Sequence, residues 1–276
     1  MKIAGIHTTK PRTQRYVDAF VKGTPGSQKI YQFRDLKVLP EENLTMYGIL
    51  AGSGEVYKWC KKNKKDFYFM DHGYFTNAHD RPHWLRITKN KHCQNVLQNK
   101  PVDRYEKNFK QNIQPWKKNG SKILVLPPTN AIANFFGAED WLKNTLQIHK
   151  ENTDRVIEVR EKPYNPTMQI TDKGYMDKIE TPTDNSGGPI SEVMARTKKI
   201  VTYNSNSLVN AIIDGIDVEA SANSCWSIYD GDAETWLKYL VHCQYNSHEN
   251  NSGEWFDCCN SSVSYTHLRA HETVLD

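Results

Sequence analysis

No apolar run in this chain approaches the roughly 20 residues that a membrane-spanning helix needs. The six cysteines, Cys60, Cys93, Cys225, Cys243, Cys258 and Cys259, include no CxxC pair and follow no regular spacing. That argues against a zinc knuckle and a disulfide framework, and for reduced thiols. A signal-peptide pattern is missing as well: Met1 runs straight into the strand-like KIAGI, which places the protein most simply in the cytoplasm. Internal repeats and low-complexity tracts are absent, which removes repeat architectures from consideration.

The last residues differ in kind from the rest of the chain. Residues 263–276, VSYTHLRAHETVLD, resemble the conceptual translation of sequencing-adapter read-through found at the ends of reading frames from metagenomic assemblies. They are set aside as non-native, so His267, Arg269 and His271 are expected to carry no function. The natural chain is expected to continue past about Asn260, which makes this one C-terminally truncated. Residues 1–262 suffice for one large or two medium α/β domains.

Charge is uneven. The net charge of +4 becomes +5 once Arg269, Glu272 and Asp276 are set aside. Between Lys89 and Lys122, eight lysines and Arg104 stand against Asp103 and Glu106, a net of +7 that exceeds the excess of the whole chain. This segment has little apolar periodicity and carries Pro101, Pro115 and Gly120. It reads as a solvated interdomain connector or as a basic wall facing an anionic ligand.

The rest alternates strands and helices. Strands are predicted at residues 2–6, 29–33, 45–50, 67–71 and 84–88, with helices over 14–22 and 54–62. A buried-type strand at 123–126, a helix over 139–148 and a strand at 156–160 follow. The richest stretch is KIVTYNSNSLVNAIIDGIDVEA, residues 199–220. Ile200, Val201 and Tyr203 make a strand, and Ser205, Asn206 and Ser207 supply cap-type groups. Leu208, Val209, Ile212 and Ile213 recur at helical spacing, Gly215 stops the helix, and Ile216 with Val218 begins the next strand. Domains are therefore drawn at 1–88 and 122–260, joined by a basic connector at 89–121.

Four constellations sit at strand ends. Asp71-His72-Gly73 follows DFYFM: a histidine suited to general-base work, then a glycine that permits an unusual turn. A buried structural histidine is the plainer reading. Arg160-Glu161-Lys162-Pro163 ends the strand VIEV, and two cations there suit a diphosphate, although an ordinary charged loop looks the same. Thr129 and Asn130 follow the turn Leu126-Pro127-Pro128 and either approach a ligand or belong to plain loop chemistry. GILAGSG, residues 48–54, lacks the GxGxxG spacing and reads as a strand-to-helix turn. The serine turn at 205–207 is either a helix cap or a phosphate contact made by hydroxyls and backbone N–H groups.

Metal chemistry is weighed and set aside. Asp71, His72, His79, Asp80 and His83 have ligand character but no motif spacing, and Asp230-Gly231-Asp232 precedes a helix-like AETWLKYLVHC that capping explains.

Taken together, DHGYF, VREKP and VTYNSNSLVNAIIDGIDVEA resemble the GT-B glycosyltransferases, in particular enzymes of bacterial and phage surface-polysaccharide or teichoic-acid-like polymer synthesis. The pattern spans about residues 45–220. The resemblance implies two Rossmann-like α/β/α domains facing a cleft, an acceptor-side first half and a nucleotide-donor-binding second half. It implies no obligatory metal and no cofactor, the nucleotide-sugar being a substrate. The partners implied are that donor and a carbohydrate or polymer acceptor. His72 matches the family's His-Gly at a strand end, and Ser205 with Ser207 its phosphate-contacting hydroxyls. The family's donor-binding glutamate has only a distant counterpart in Glu219.

The expected reaction is inverting transfer of a sugar from a nucleotide diphosphate to an acceptor hydroxyl. His72, oriented by Asp71 or a backbone carbonyl, acts as base. Arg160, Lys162, Ser205, Asn206, Ser207, Thr129 and Asn130 meet the diphosphate. A sugar-nucleotide epimerase of the same architecture is the rival enzyme. A nucleic-acid-binding or DNA-glycosylating phage protein using Lys89–Lys122 and a non-catalytic carbohydrate-binding module are the other readings.

Overall fold

The computed structural model describes residues 2–27, 29–75, 84–93, 103–117, 119–161, 190–229 and 231–256. Lys118, Lys162, His79, Asp80, His83, Asp230, Cys258, Cys259 and the segment 263–276 lie outside them. The chain forms two units, one from Met1–Lys110 with Glu234–Asp276, the other from Gln111–Ala233.

In chain order the first unit contributes β1 (Ile3–His7), α1 (Pro11–Lys22), β2 (Ile30–Gln32), β3 (Asn43–Tyr47), α2 (Ser53–Lys62), β4 (Phe67–His72), β5 (Trp84–Lys89) and α3 (Asp103–Asn108). The second holds β6 (Lys122–Leu126), α4 (Asn130–Phe136), α5 (Trp141–Asn152), β7 (Val156–Val159), α6 (Ile190–Ala195), β8 (Thr197–Thr202), α7 (Ser207–Ile213) and β9 (Asp217–Ala220). The chain then adds α8 (Ala233–Leu240), β10 (Gln244–Asn246) and α9 (Ser247–Ser252) to the first unit.

The first sheet runs β10-β5-β4-β3-β1-β2. β2, β1, β3 and β4 are parallel, and β5 is antiparallel to both β4 and β10. Helix α1 starts with proline at its first position and buries Tyr16, Val17, Phe20 and Val21 at helical spacing. Val17, Phe20 and Val21 pack on Ile3, Tyr68, Met70 and Ile87 with Tyr245 and Trp255. The opposite face of β4 meets α2, where the Tyr57 ring lies 4.8 Å from Phe67 and 5.6 Å from Phe69. GILAGSG forms the turn from β3 into α2, with Gly48, Ala51 and Gly52 all at positive φ.

The second sheet is wholly parallel, in the order β7-β6-β8-β9. Its strands are buried apolar runs, as helices on the faces require. Ile123, Val125, Ile157, Val159 and Val201 pack with Leu142 and Leu146 of α5. Helix α7 buries Leu208, Val209, Ala211 and Ile212, and Gly215 ends it at φ 68.

Two features differ from the sequence expectation. Residues 234–256, assigned to the second half, belong to the first unit, because β10 completes its sheet through Gln244↔Arg86, Tyr245↔Leu85 and Asn246↔Trp84. The expected connector at 89–121 is divided between the units. Lys89 ends β5, and the Arg104 guanidinium is held by Glu249, by the carbonyls of Val241 (3.0 Å) and Gln244 (2.7 Å), and over the Tyr245 ring at 4.9 Å. Further on, Gln114 N–H bonds to the Ile213 carbonyl and Lys117 N–H to that of Gly215. Among the described residues no helix is long and apolar enough to cross a membrane. Cys60, Cys93, Cys225 and Cys243 are buried free thiols.

Candidate active site

In each sheet the parallel strands reverse their order beside the first strand of the unit, between β1 and β3 and between β6 and β8. Open α/β sheets hold ligands outside the carboxyl ends of strands at such a point.

In the first unit the register pairs Tyr47 with Met70, so Tyr47 and His72 project from the same face of the sheet. The Tyr47 hydroxyl lies 3.4 Å from His72 Nε2, and the Tyr47 ring lies 5.0 Å from that of Tyr16. Burial, reinforced by the charge of Asp71, raises the Tyr47 phenol above its ordinary range, so it stays protonated and donates to or accepts from the imidazole according to tautomer.

Asp71 precedes His72 and therefore projects from the other face. Its Oδ2 accepts from Arg86 Nη2 at 2.9 Å across the strand pair, and its Oδ1 accepts from the His72 backbone N–H at 2.8 Å. Asp71 thus holds His72 through the main chain. Burial disfavours its charge, but Arg86, His92 and His72 outweigh that effect and keep the carboxyl below its usual range. Buried His92 is pushed down to about 3 by desolvation and then by Arg86. Arg86 Nη2 stands 3.5 Å from His92 Nε2, and since guanidinium only donates, the His92 proton sits on Nδ1, facing Cys93 Sγ at 3.5 Å. The thiol of Cys93 is pushed up to about 11 by burial and is not a nucleophile near neutral pH.

Gly73 has an ordinary φ, so the unusual turn expected there is absent. What glycine provides is closeness. A Cβ would lie 2.8 Å from Gln244 Oε1 and 2.9 Å from the Trp84 carbonyl.

In the second unit Thr129, Asn130 and the serine turn meet at the carboxyl ends of β6 and β8. Buried Thr202 ties them: its Oγ1 donates to the Leu126 carbonyl at 2.9 Å and accepts from Ser205 N–H at 3.2 Å. Ser205 Oγ donates to Ser207 Oγ at 3.2 Å and accepts from Ser207 N–H at 3.3 Å. Asn206 is the N-cap of α7 and its side chain makes no cap bond, so Ser205, one residue before it, serves the helix only through the N–H of Ser207, while Ser207 keeps its own hydroxyl proton to donate. Thr129 caps α4 by accepting from Ile132 N–H. With seven residues, α7 has too short a dipole to matter much, so hydroxyls and N–H groups are the donors.

Arg160 follows β7, and its N–H bonds to the Val125 carbonyl at 3.0 Å. It stands on the same edge as Thr129 and the serine turn, since β7, β6 and β8 are consecutive in the sheet. Lys162 is outside the described residues, whereas its neighbour Glu161 is buried. Glu219 engages Lys199 at 2.9 Å and lies 3.5 Å from His149 Nε2.

The basic segment has partners of its own: Lys89 with Asp66, Lys110 with Glu106, Lys122 with Glu158 and Arg104 with Glu249. Among the described residues no group of three or more His, Cys, Asp or Glu could hold a metal ion.

The sequence reading missed Tyr47, Arg86 and His92. Arg86 had a signal, an inward arginine inside the apolar strand WLRITK, which needs a carboxylate across the strand pair. Tyr47 becomes visible only once β3 and β4 are in register.

No protein-family model matches the chain, and no curated protein matches it. Its fold is similar to that of the beta Kdo 2,4 transferase KpsC of Thermosulfurimonas dismutans, with a TM-score of 0.55 and 11% identity, covering 87% of this chain and 89% of that one. A second KpsC structure from that organism, described as a beta Kdo 2,7 transferase, gives a TM-score of 0.49 at 11% identity, covering 92% and 99%.

Proposed function

We propose that this chain is a GT-B glycosyltransferase of surface-polysaccharide or teichoic-acid-like polymer synthesis, which transfers a sugar from a nucleotide diphosphate to an acceptor hydroxyl with inversion and without a metal. The observation that carries the reading is the repeated placement of chemistry. Two sheets with the same parallel strand order each present it at the carboxyl edge, a histidine with a tyrosine in one and hydroxyls with an arginine in the other. The fold likeness to a Kdo transferase supports it and makes Kdo one sugar to test.

On this reading the first unit takes the acceptor and the second the donor. The acceptor oxygen attacks the anomeric carbon while its proton passes to the ring of His72, whose strand end Asp71 and Arg86 hold in place. The bond from anomeric carbon to phosphate oxygen breaks, and the charge that develops on the diphosphate meets Arg160, Lys162 and the hydroxyls of Ser205 and Ser207. Asn206, Thr129 and Asn130 line the same edge.

Replacing His72 by alanine in the full chain should lower acceptor-dependent nucleotide release on the order of 100-fold or more. An unchanged rate removes the role of His72, and an epimer formed without acceptor replaces the reading with a sugar-nucleotide epimerase. A chelator should leave the rate unchanged.

A further inference from the structure

The loop that leaves β9 is fastened to the end of β8, just before the serine turn. Ser221 N–H bonds to the Thr202 carbonyl at 3.3 Å, Ser221 Oγ donates to the Tyr203 carbonyl at 2.6 Å, and Asn223 Nδ2 donates to the Tyr203 hydroxyl at 2.7 Å. Short-range bonds then fix the loop itself. Asn223 N–H bonds to Ser221 Oγ (3.1 Å), Ser224 Oγ to the Ser221 carbonyl (2.7 Å), and Trp226 N–H to Ser224 Oγ (3.2 Å). Tyr229 N–H reaches the Trp226 carbonyl at 2.9 Å, and the Tyr229 hydroxyl donates to the Gly231 carbonyl at 3.1 Å. Buried Ser224 and Cys225 anchor the loop inward.

This framework holds Trp226 and Tyr229 as a stacked pair, ring centroids 4.4 Å apart and planes inclined by 14°. Both rings are only half-buried and neither belongs to the buried core of the unit. Adjacent strands lie about 4.8 Å apart, so a loop leaving β9 starts one strand spacing from the turn leaving β8. A fixed, flat aromatic surface is thus carried by the loop that leaves the strand next to β8, whose end leads into the hydroxyls assigned to phosphate.

We propose that Trp226 and Tyr229 form the stacking platform for the nucleobase of the donor, an inference that rests on the donor-binding reading of the second unit. A base offers a π-face to an aromatic side chain whatever its identity, and each such stack contributes a substantial share of affinity. Because the loop is already ordered by its own hydrogen bonds, little conformational freedom is lost when a base settles on it. The serine turn alone does not distinguish a nucleotide from pyrophosphate. The aromatic pair does.

The test titrates the full chain with UDP, CDP, GDP and ADP, and separately with pyrophosphate and with glucose, following tryptophan emission and thermal stability. Nucleotides should quench emission, and Trp226→Phe should abolish the quench while binding persists. Trp226→Ala and Tyr229→Ala should each weaken nucleotide binding about 5- to 150-fold, the range one base–aromatic stack covers. Pyrophosphate binding should be unaffected by either. If nucleotides stabilise the wild-type chain and both alanine variants equally, the base lies elsewhere and the donor reading stands. If glucose quenches where nucleotides do not, the platform serves a sugar and the inference fails. If no nucleotide binds to a chain that melts cooperatively, the donor reading fails with it. Should an alanine variant not fold, the Trp226→Phe quench decides.

Discussion

The two sheets lay their parallel strands in one order, β2-β1-β3-β4 and β7-β6-β8-β9, and then place different polar chemistry beneath the strand ends. Under the first lie charges. Arg86 and His92 are 4% exposed beside Asp71, and Arg104 ties α3 to α9 through Glu249 and to β10 through the Gln244 carbonyl. At the carboxyl edge of the second, Thr202 ends β8 and Ser224 follows β9, each at most 1% exposed, with Glu161 the buried acid after β7. The Lys122–Glu158 pair, at the start of β6, is more open on the lysine side, at 21%. Charged supports hold geometry firmly but fail when one partner is removed or titrated, whereas a hydroxyl lost from a turn leaves a small, neutral defect. One topology thus carries two kinds of strand end with different sensitivities.

The largest test of this contrast removes a buried charge from each unit. Arg104→Ala strips Glu249 of its partner and the carbonyls of Val241 and Gln244 of a donor, and should cost about 3–5 kcal/mol by urea unfolding. Lys122→Ala also leaves a buried carboxylate, Glu158, but it should cost less, because Lys122 makes one bond to that carboxylate whereas Arg104 bonds two carbonyls besides its own carboxylate. Equal losses would break the contrast.

Acid gives the next effect. Unfolded His92 takes a proton near 6.5, and folded His92 resists it down to about 3, so the unfolded state binds more protons across that window. Stability should therefore fall as pH drops from about 6.5, by about 2 kcal/mol by about pH 5. Asp71 acts lower still: its contribution is present above the ordinary carboxyl value of 3.8 and is lost as pH falls through its depressed folded value. Denaturant unfolding at stepped pH should show the slope, and His92→Gln should flatten it. A profile that His92→Gln leaves unchanged would assign the acid sensitivity elsewhere.

The smallest stability effect belongs to the serine turn. Ser205→Ala removes the hydroxyl that accepts from the first N–H of α7 and should cost about 1 kcal/mol by thermal melting. The stabilisation expected from the proposed nucleotide donor, about 2.7 kcal/mol at 100 times its dissociation constant, should nonetheless shrink. A full nucleotide shift in Ser205→Ala and Ser207→Ala alike would leave the turn a plain cap.

Much of this fold was legible from local pattern. The alternation of strands and helices, the serine turn and the glycine stop at Gly215 depend on neighbours a few residues apart, and they form where the spacing predicts. What was not legible depends on residues distant in sequence. β10 is three residues long and carries no signal of its own; it exists because Gln244, Tyr245 and Asn246 complete the edge of β5. Arg104 reads in sequence as one more cation of a basic stretch, and only its contacts with Glu249 and Tyr245 show it to be internal. Gly73 reads as a flexible turn, yet its requirement is the nearness of Gln244 and Trp84. At the candidate site the type of residue could be read from His72 and the serines, while its companions needed the register of β3 against β4.

The return of β10 to the first sheet has a consequence for synthesis. A ribosome releases Trp84–Lys89 long before Gln244–Asn246, and all of Gln111–Ala233 must be made in between. The second unit, continuous in the chain, is free to close first, while the outer edge of β5 waits with its backbone groups open to any passing strand. Slow translation or a stop before Gln244 therefore exposes the nascent chain to edge-to-edge aggregation through residues 84–89, a hazard that holdase chaperones suppress by covering open strand edges.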